Sequence, residues 1–198
     1  MARRAWIAFA RIEDIGSRAL AQTRRGLRGH ERRRYARFAS ARRAREFLAG
    51  RWLVAASRRA WRGERRSRAS ISHSGGWVAC ALVEHGVPGV DIEPMVARDF
   101  STLGAWAFPA DWSEAGGAQR AFYGRWTRYE AGLKSARSAA YQERTWFVDG
   151  VAISASFAGV AGLWSGAPLR WRRSHGFVTR REPREFLQRR ENPLERRG

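Results

Sequence analysis

Two short runs with strand character, Trp77–Val83 (WVACALV) and Gly89–Glu93 (GVDIE), follow one another with only EHGVP between them. Apolar runs parted by Gly and Pro read as neighbouring strands joined by a turn. Helical patterns flank the pair. Ala44, Phe47, Leu48, Trp52 and Ala55 recur at helical spacing, which predicts an amphipathic helix over 40–61. A second helix is expected over 119–137. There Phe122, Trp126 and Leu133 lie close to one face, and Thr127, Glu130 and Lys134 form an adjacent stripe. Strand character returns over 145–180 in TWFVDGVAISASF, PLRWRR and GFVTR, broken by glycine turns. The chain therefore reads as two units of helix plus strands meeting near residue 100, an α+β class.

Composition excludes several alternatives. A chain of 198 residues with 44% apolar content and ten Trp can bury an adequate core and is not a disordered polymer. Its single cysteine, Cys80, rules out an internal disulfide and any multi-cysteine metal site, and its place in WVACALV marks it as a small buried hydrophobe. The four histidines form no zinc-like pair. At the start, MARRAWIAFARIED has an apolar stretch too short for a signal peptide, interrupted by Arg11 and two acids. No run approaches the roughly 20 residues of a membrane span. A cytoplasmic protein with no membrane partner is expected.

The formal net charge is +20, which favours polyanionic partners. Arginine is dense over 24–37 and in RGERRSR (62–68), and a charged tail is expected over 182–198. Of the 38 Lys and Arg residues all but one are arginine; the exception is Lys134. Arginine is a rigid planar fork and lysine a compact, mobile point charge, so a lone lysine points to a position that suits an ammonium, with chance in an arginine-drifted composition as the plainer reading. It stands four residues after Glu130, on the same helical face.

Three clusters carry candidate chemistry. In ISHSGG (71–76), hydroxyls, an imidazole and glycine amides suit a phosphate; a capped turn is the plainer reading. In GVDIEP (89–94), Asp91 and Glu93 point to one side of a strand. Paired hard oxygens suit Mg²⁺, and a solvated edge strand is the alternative. In WTRYEAGLK (126–134), Glu130 can ligate a metal or take a proton while Lys134 neutralises phosphate, or the two form an ordinary surface ion pair.

Taken together, SHSGG, twelve residues, GVDIE and then the WTRYEAGLK helix resemble the 4′-phosphopantetheinyl transferases, and more narrowly their surfactin-type, carrier-protein-activating branch. RRRYARFASARRAREFLAGRWLV is similar to that family's basic helical lead-in and following helix, and AFPADW (107–112) to the start of another. The resemblance implies a pseudo-dimer of two similar α+β halves, residues 1–100 and 101–181, with the active site between them. The implied reaction moves the phosphopantetheine arm of coenzyme A onto a serine of an acidic apo acyl, peptidyl or aryl carrier protein, releasing 3′,5′-ADP. By the same resemblance Asp91, Glu93 and Glu130 hold Mg²⁺, and Glu130 is the base. Lys134 contacts the phosphates, Ser72 and His73 bind the phosphates of coenzyme A, and Arg34 falls near a basic contact of the lead-in. Two positions depart from the family pattern. Tyr129 stands where a lysine is usual, and RGERRSR replaces a Gly-Lys-Pro loop, with Arg65, Arg66 or Arg68 as stand-ins. A monomer is expected. The competing readings are a catalytically weakened relative that binds carrier proteins and a basic nucleic-acid-binding module, the latter requiring stacking aromatics on the arginine face. Trp52 and Trp126 fall instead on faces that read as core, so no nucleic-acid partner is expected.

Overall fold

The computed structural model describes residues 5–61, 67–109, 117–135, 141–158, 169–172 and 176–178. In chain order the elements are β1 (Ala5–Arg11), α1 (Ser17–Arg25), α2 (Gly29–Ala36), α3 (Ala41–Trp61), β2 (Arg68–Ser74), β3 (Trp77–Val83), β4 (Val87–Pro94), α4 (Phe100–Ala107), α5 (Ala118–Lys134), β5 (Tyr141–Val148), β6 (Val151–Ala158), β7 (Leu169–Arg172) and β8 (Gly176–Val178). The strands form two sheets, ordered β2-β3-β1-β7-β8 and β4-β6-β5, so the fold is α+β. No helix among the described residues is long and apolar enough to cross a membrane. The 182–198 tail, Arg65, Arg66 and the last three residues of AFPADW lie outside the described residues.

Every residue of β3 is buried because both faces of its sheet are covered. On one face Ala5, Ile7 and Phe9 of β1 join Trp77, Ala79, Ala81 and Val83 of β3. They pack against Val90 and Ile92 of β4 and Val151, Ile153, Ala155 and Phe157 of β6. On the other face Ala8, Ala10, Val78, Cys80 and Leu82 meet Phe47, Leu48, Leu53 and Val54 of α3. Two apolar layers thus result from the period-2 alternation of the strands. Gly50 permits the close seating of α3, since a β-carbon there would stand 2.8 Å from Ile71 Cγ2.

Three differences from the sequence reading stand out. The N-terminal apolar stretch is a central strand, β1, paired antiparallel with β3 from Ala5↔Val83 to Arg11↔Trp77. Ser72, His73 and Ser74 are not a turn. They belong to strand β2, and the turn is Gly75–Gly76, with φ of +52° and +81°, closing a two-residue hairpin onto β3. The sheets also do not divide the chain at residue 100: β4 already belongs to the second sheet, while β7 and β8 return to the first.

Candidate functional site

β2 and β4 are edge strands of different sheets, and they lie alongside each other in the same direction. Serine side chains bridge them. Ser70 Oγ accepts from Val90 N at 3.1 Å, Ser72 Oγ donates to Asp91 Oδ1 at 2.8 Å, and Ser74 Oγ donates to Glu93 Oε2 at 2.7 Å. The i, i+2 spacing of the serines matches the i, i+2 spacing of the carboxylates, so two alternating strands face each other across a polar seam.

Helix α5 closes this seam from the far side of β4. Beyond the buried Phe122 and Tyr123, its contact face is built of small and hydroxylated residues. Thr127 Oγ1 lies 2.7 Å from Ser154 Oγ, Ser135 Oγ lies 2.9 Å from Ser156 Oγ, and Gly124 sits against Phe147. At Gly89 the approach is backbone to backbone: a β-carbon there would lie 1.9 Å from Ala131 O. Leu133, read from the sequence as part of the inward face, is instead 57% exposed. Beside Gly89 the contact is too close for large side chains, so there the inward face passes through Thr127, Ala131 and Ser135.

One turn beyond Ala131, Lys134 reaches back to the seam. Its Nζ donates to Asp91 Oδ1 at 2.7 Å, Val90 O at 3.1 Å and Ser72 Oγ at 3.2 Å. Lys134 therefore pairs with Asp91, 43 residues away, rather than forming the surface pair with Glu130. Asp91 is almost fully buried, and its second oxygen, Oδ2, has no hydrogen-bond partner. A buried carboxylate oxygen left unpaired is costly and uncommon. Burial pushes the Glu93 carboxyl above its ordinary range; the Ser74 hydrogen bond opposes this, and the neighbouring Asp91 charge adds to it.

The remaining candidates are placed apart. His73 points to the opposite side of β2 from Ser72, where its Nδ1 lies 3.6 Å from Glu46 Oε2 of α3; Glu46 is also paired with Arg42 at 3.0 Å. Arg34 lies over the Phe47 ring, 5.5 Å from its centroid. Arg68 donates to Gly86 O at 3.2 Å, in the turn before β4. Glu130 is half-buried one turn before Lys134, and Tyr129 is 44% exposed. Trp52 and Trp126 are partly buried against Trp171 and Phe122. Among the described residues no three His, Cys, Asp or Glu side chains are gathered so as to hold a metal ion, so Glu130 is not drawn into one group with Asp91 and Glu93.

Asp91 and Glu93 nonetheless fit Mg²⁺ by chemistry. They are hard oxygen donors on one strand face, one with an unpaired buried oxygen, and Mg²⁺ is commonly held by one or two carboxylates with water and substrate phosphate completing its shell. Sequence reasoning missed Ser70 and Glu46, and took Ser74 only as a hydroxyl of the ISHSGG cluster rather than as a partner of Glu93. The serines had a legible signal in the alternation of SISHS, whereas the partnership of Glu46 with His73 required the docking of α3. No protein-family model matches the chain, and no curated protein matches it.

Proposed function

We propose that this protein transfers the 4′-phosphopantetheine arm of coenzyme A to a serine of an apo carrier protein, in a Mg²⁺-dependent reaction that releases 3′,5′-ADP, within a cleft between two similar α+β halves. One observation carries the reading. Ser72, Asp91 and Lys134 come from the three separate motifs on which the transferase resemblance rests, and they meet within hydrogen-bonding distance of one another.

Phosphoryl transfer asks a protein for positioning and charge neutralisation more than for covalent chemistry. Lys134 supplies an ammonium for the pyrophosphate oxygens, and Ser72 a hydroxyl beside it. Asp91 and Glu93 would hold Mg²⁺, which when bound neutralises the charge that develops on the pyrophosphate. Glu130, one helical turn from Lys134, accepts the proton of the incoming serine hydroxyl. The serine oxygen forms the new P–O bond as the pyrophosphate P–O bond breaks and 3′,5′-ADP departs. On the α3 side of β2, His73 beside Glu46 offers an imidazole hydrogen bond and Arg34 a further cationic contact. The net charge of +20 suits encounter with an acidic carrier protein.

The test incubates the full chain with coenzyme A, Mg²⁺ and apo carrier protein and follows the carrier by intact mass. Asp91→Ala and Glu130→Ala are expected to abolish the mass gain while retaining the far-ultraviolet circular dichroism of the parent. Full transfer by either variant would remove these residues from the mechanism.

A further inference from the structure

The three hydrogen bonds of Lys134 use all three donors of its ammonium, leaving none for a phosphate in this arrangement. Its shortest contact is to Asp91, the carboxylate best placed to ligate a divalent cation. The ammonium thus sits where a cation serving Asp91 would have to sit, and it shares Oδ1 with the Ser72 hydroxyl. Oδ2 stays buried and unpaired on the same carboxylate, so Asp91 keeps acceptor capacity that one ammonium does not use.

We infer that Lys134 is a built-in counter-ion that competes with the divalent metal for Asp91, so that metal and pyrophosphate load the site together rather than in sequence. This rests on reading the seam as a metal–pyrophosphate site. A metal arriving alone must displace the ammonium and then remain beside it, two cations in a partly buried cleft. A metal arriving with a pyrophosphate gives the displaced ammonium a new anionic partner. The geometry permits the exchange. Lys134 is partly exposed at 32%, and it is the last residue of α5, so its side chain can swing without moving the helix. An arginine at this position would be a poorer exchanger, because its fork holds a carboxylate in two-point contact.

Mn²⁺ serves as the probe, since oxygen-donor sites of this kind accept it in place of Mg²⁺. Its binding to the full chain is measured by the loss of the free-ion electron paramagnetic resonance signal, without coenzyme A or carrier protein. Lys134→Met is expected to bind Mn²⁺ at least about ten-fold more tightly than the parent, because the competitor and its repulsion are gone. Asp91→Asn is expected to lose binding. On addition of inorganic pyrophosphate the advantage of Lys134→Met should disappear. Should that variant fold poorly, Lys134→Gln carries the same comparison, and Mn²⁺ should raise its melting temperature more than the parent's. Equal or weaker Mn²⁺ binding in the lysine variants, or no binding in any of the proteins, overturns the exchange. Because no transfer is measured, a protein that shows the exchange yet loads no carrier would refute only the transferase reading.

Discussion

Gly89→Ala should separate the two sides of the site without altering any charged group. The added methyl carbon would lie 1.9 Å from Ala131 O and 2.9 Å from both Ala131 C and Ser135 N. An ordinary contact requires about 3.4–3.5 Å, so helix and strand must part by about 1.5 Å at this point. Neither side yields easily. Gly89 pairs with Ser156 in the β4–β6 ladder, and Ala131 O accepts the backbone N–H of Ser135 at 3.1 Å. Overpacking of side chains costs about 1–3 kcal/mol, and a backbone-on-backbone clash belongs at the upper end. About 3 kcal/mol corresponds to a fall in melting temperature of about 6–12 °C for a chain of this length. Asp91 lies two residues along β4 and Lys134 three residues along α5, so the displacement falls on their 2.7 Å contact. A misplacement of about 1 Å at a reacting centre can cost on the order of 100-fold in rate. Calorimetry and the carrier-loading assay, read side by side, provide the check. Gly29→Ala is the control, because its added carbon meets nothing closer than Arg33 Nη1 at 3.8 Å. A Gly89→Ala protein with the melting temperature and turnover of the parent would refute the claim that this contact sets the depth of α5.

Two further outcomes follow from titratable groups. Asp99 caps α4 by accepting from the backbone N–H groups of Ser101 and Thr102 and from both hydroxyls, bonds that lower its pKa from 3.8 to about 2. A lowered carboxyl pKa gives stability that is present above the ordinary value and lost as pH falls through the folded one. The melting-temperature gap between parent and Asp99→Ala should therefore be constant from neutral pH down to about pH 4 and close towards about pH 2. A gap that widens in acid would contradict the cap. Cys80 is fully buried beside Ser57 and its thiol pKa is pushed up to about 12, chiefly by burial. The native protein should resist a thiol-specific chromogenic reagent, with reaction appearing only on addition of denaturant; prompt labelling of the native chain would contradict that burial.

How far the sequence revealed this molecule depended on which faces were apolar. α3 (Ala41–Trp61) and β3 (Trp77–Val83) were legible because each carries a large apolar surface into the core at its own period. β1 was obscured by its shortness and its closing arginine, which together imitate a failed leader segment. β2 was obscured for the opposite reason: Ser70, Ser72 and Ser74 face a polar seam, and a strand whose covered side is hydroxylated has the composition of a loop. In α5 the position of Glu130 and Lys134 on one face was legible, but the choice of Leu133 as core was not correct, because Gly89 brings the helix too near for a leucine. The pairing of Asp91 with Lys134 needed both the strand register and the helix depth, and neither is local in sequence.

Intact-mass analysis of apo acyl, peptidyl and aryl carrier proteins, each incubated with the full chain, coenzyme A and Mg²⁺, tests the central claim most directly. The account predicts that at least one carrier gains a single phosphopantetheine, and that Lys134→Arg slows this gain although charge is conserved. No gain on any carrier would contradict it. Loading at the parent rate by Lys134→Arg would show that the chain's one lysine serves no purpose an arginine could not.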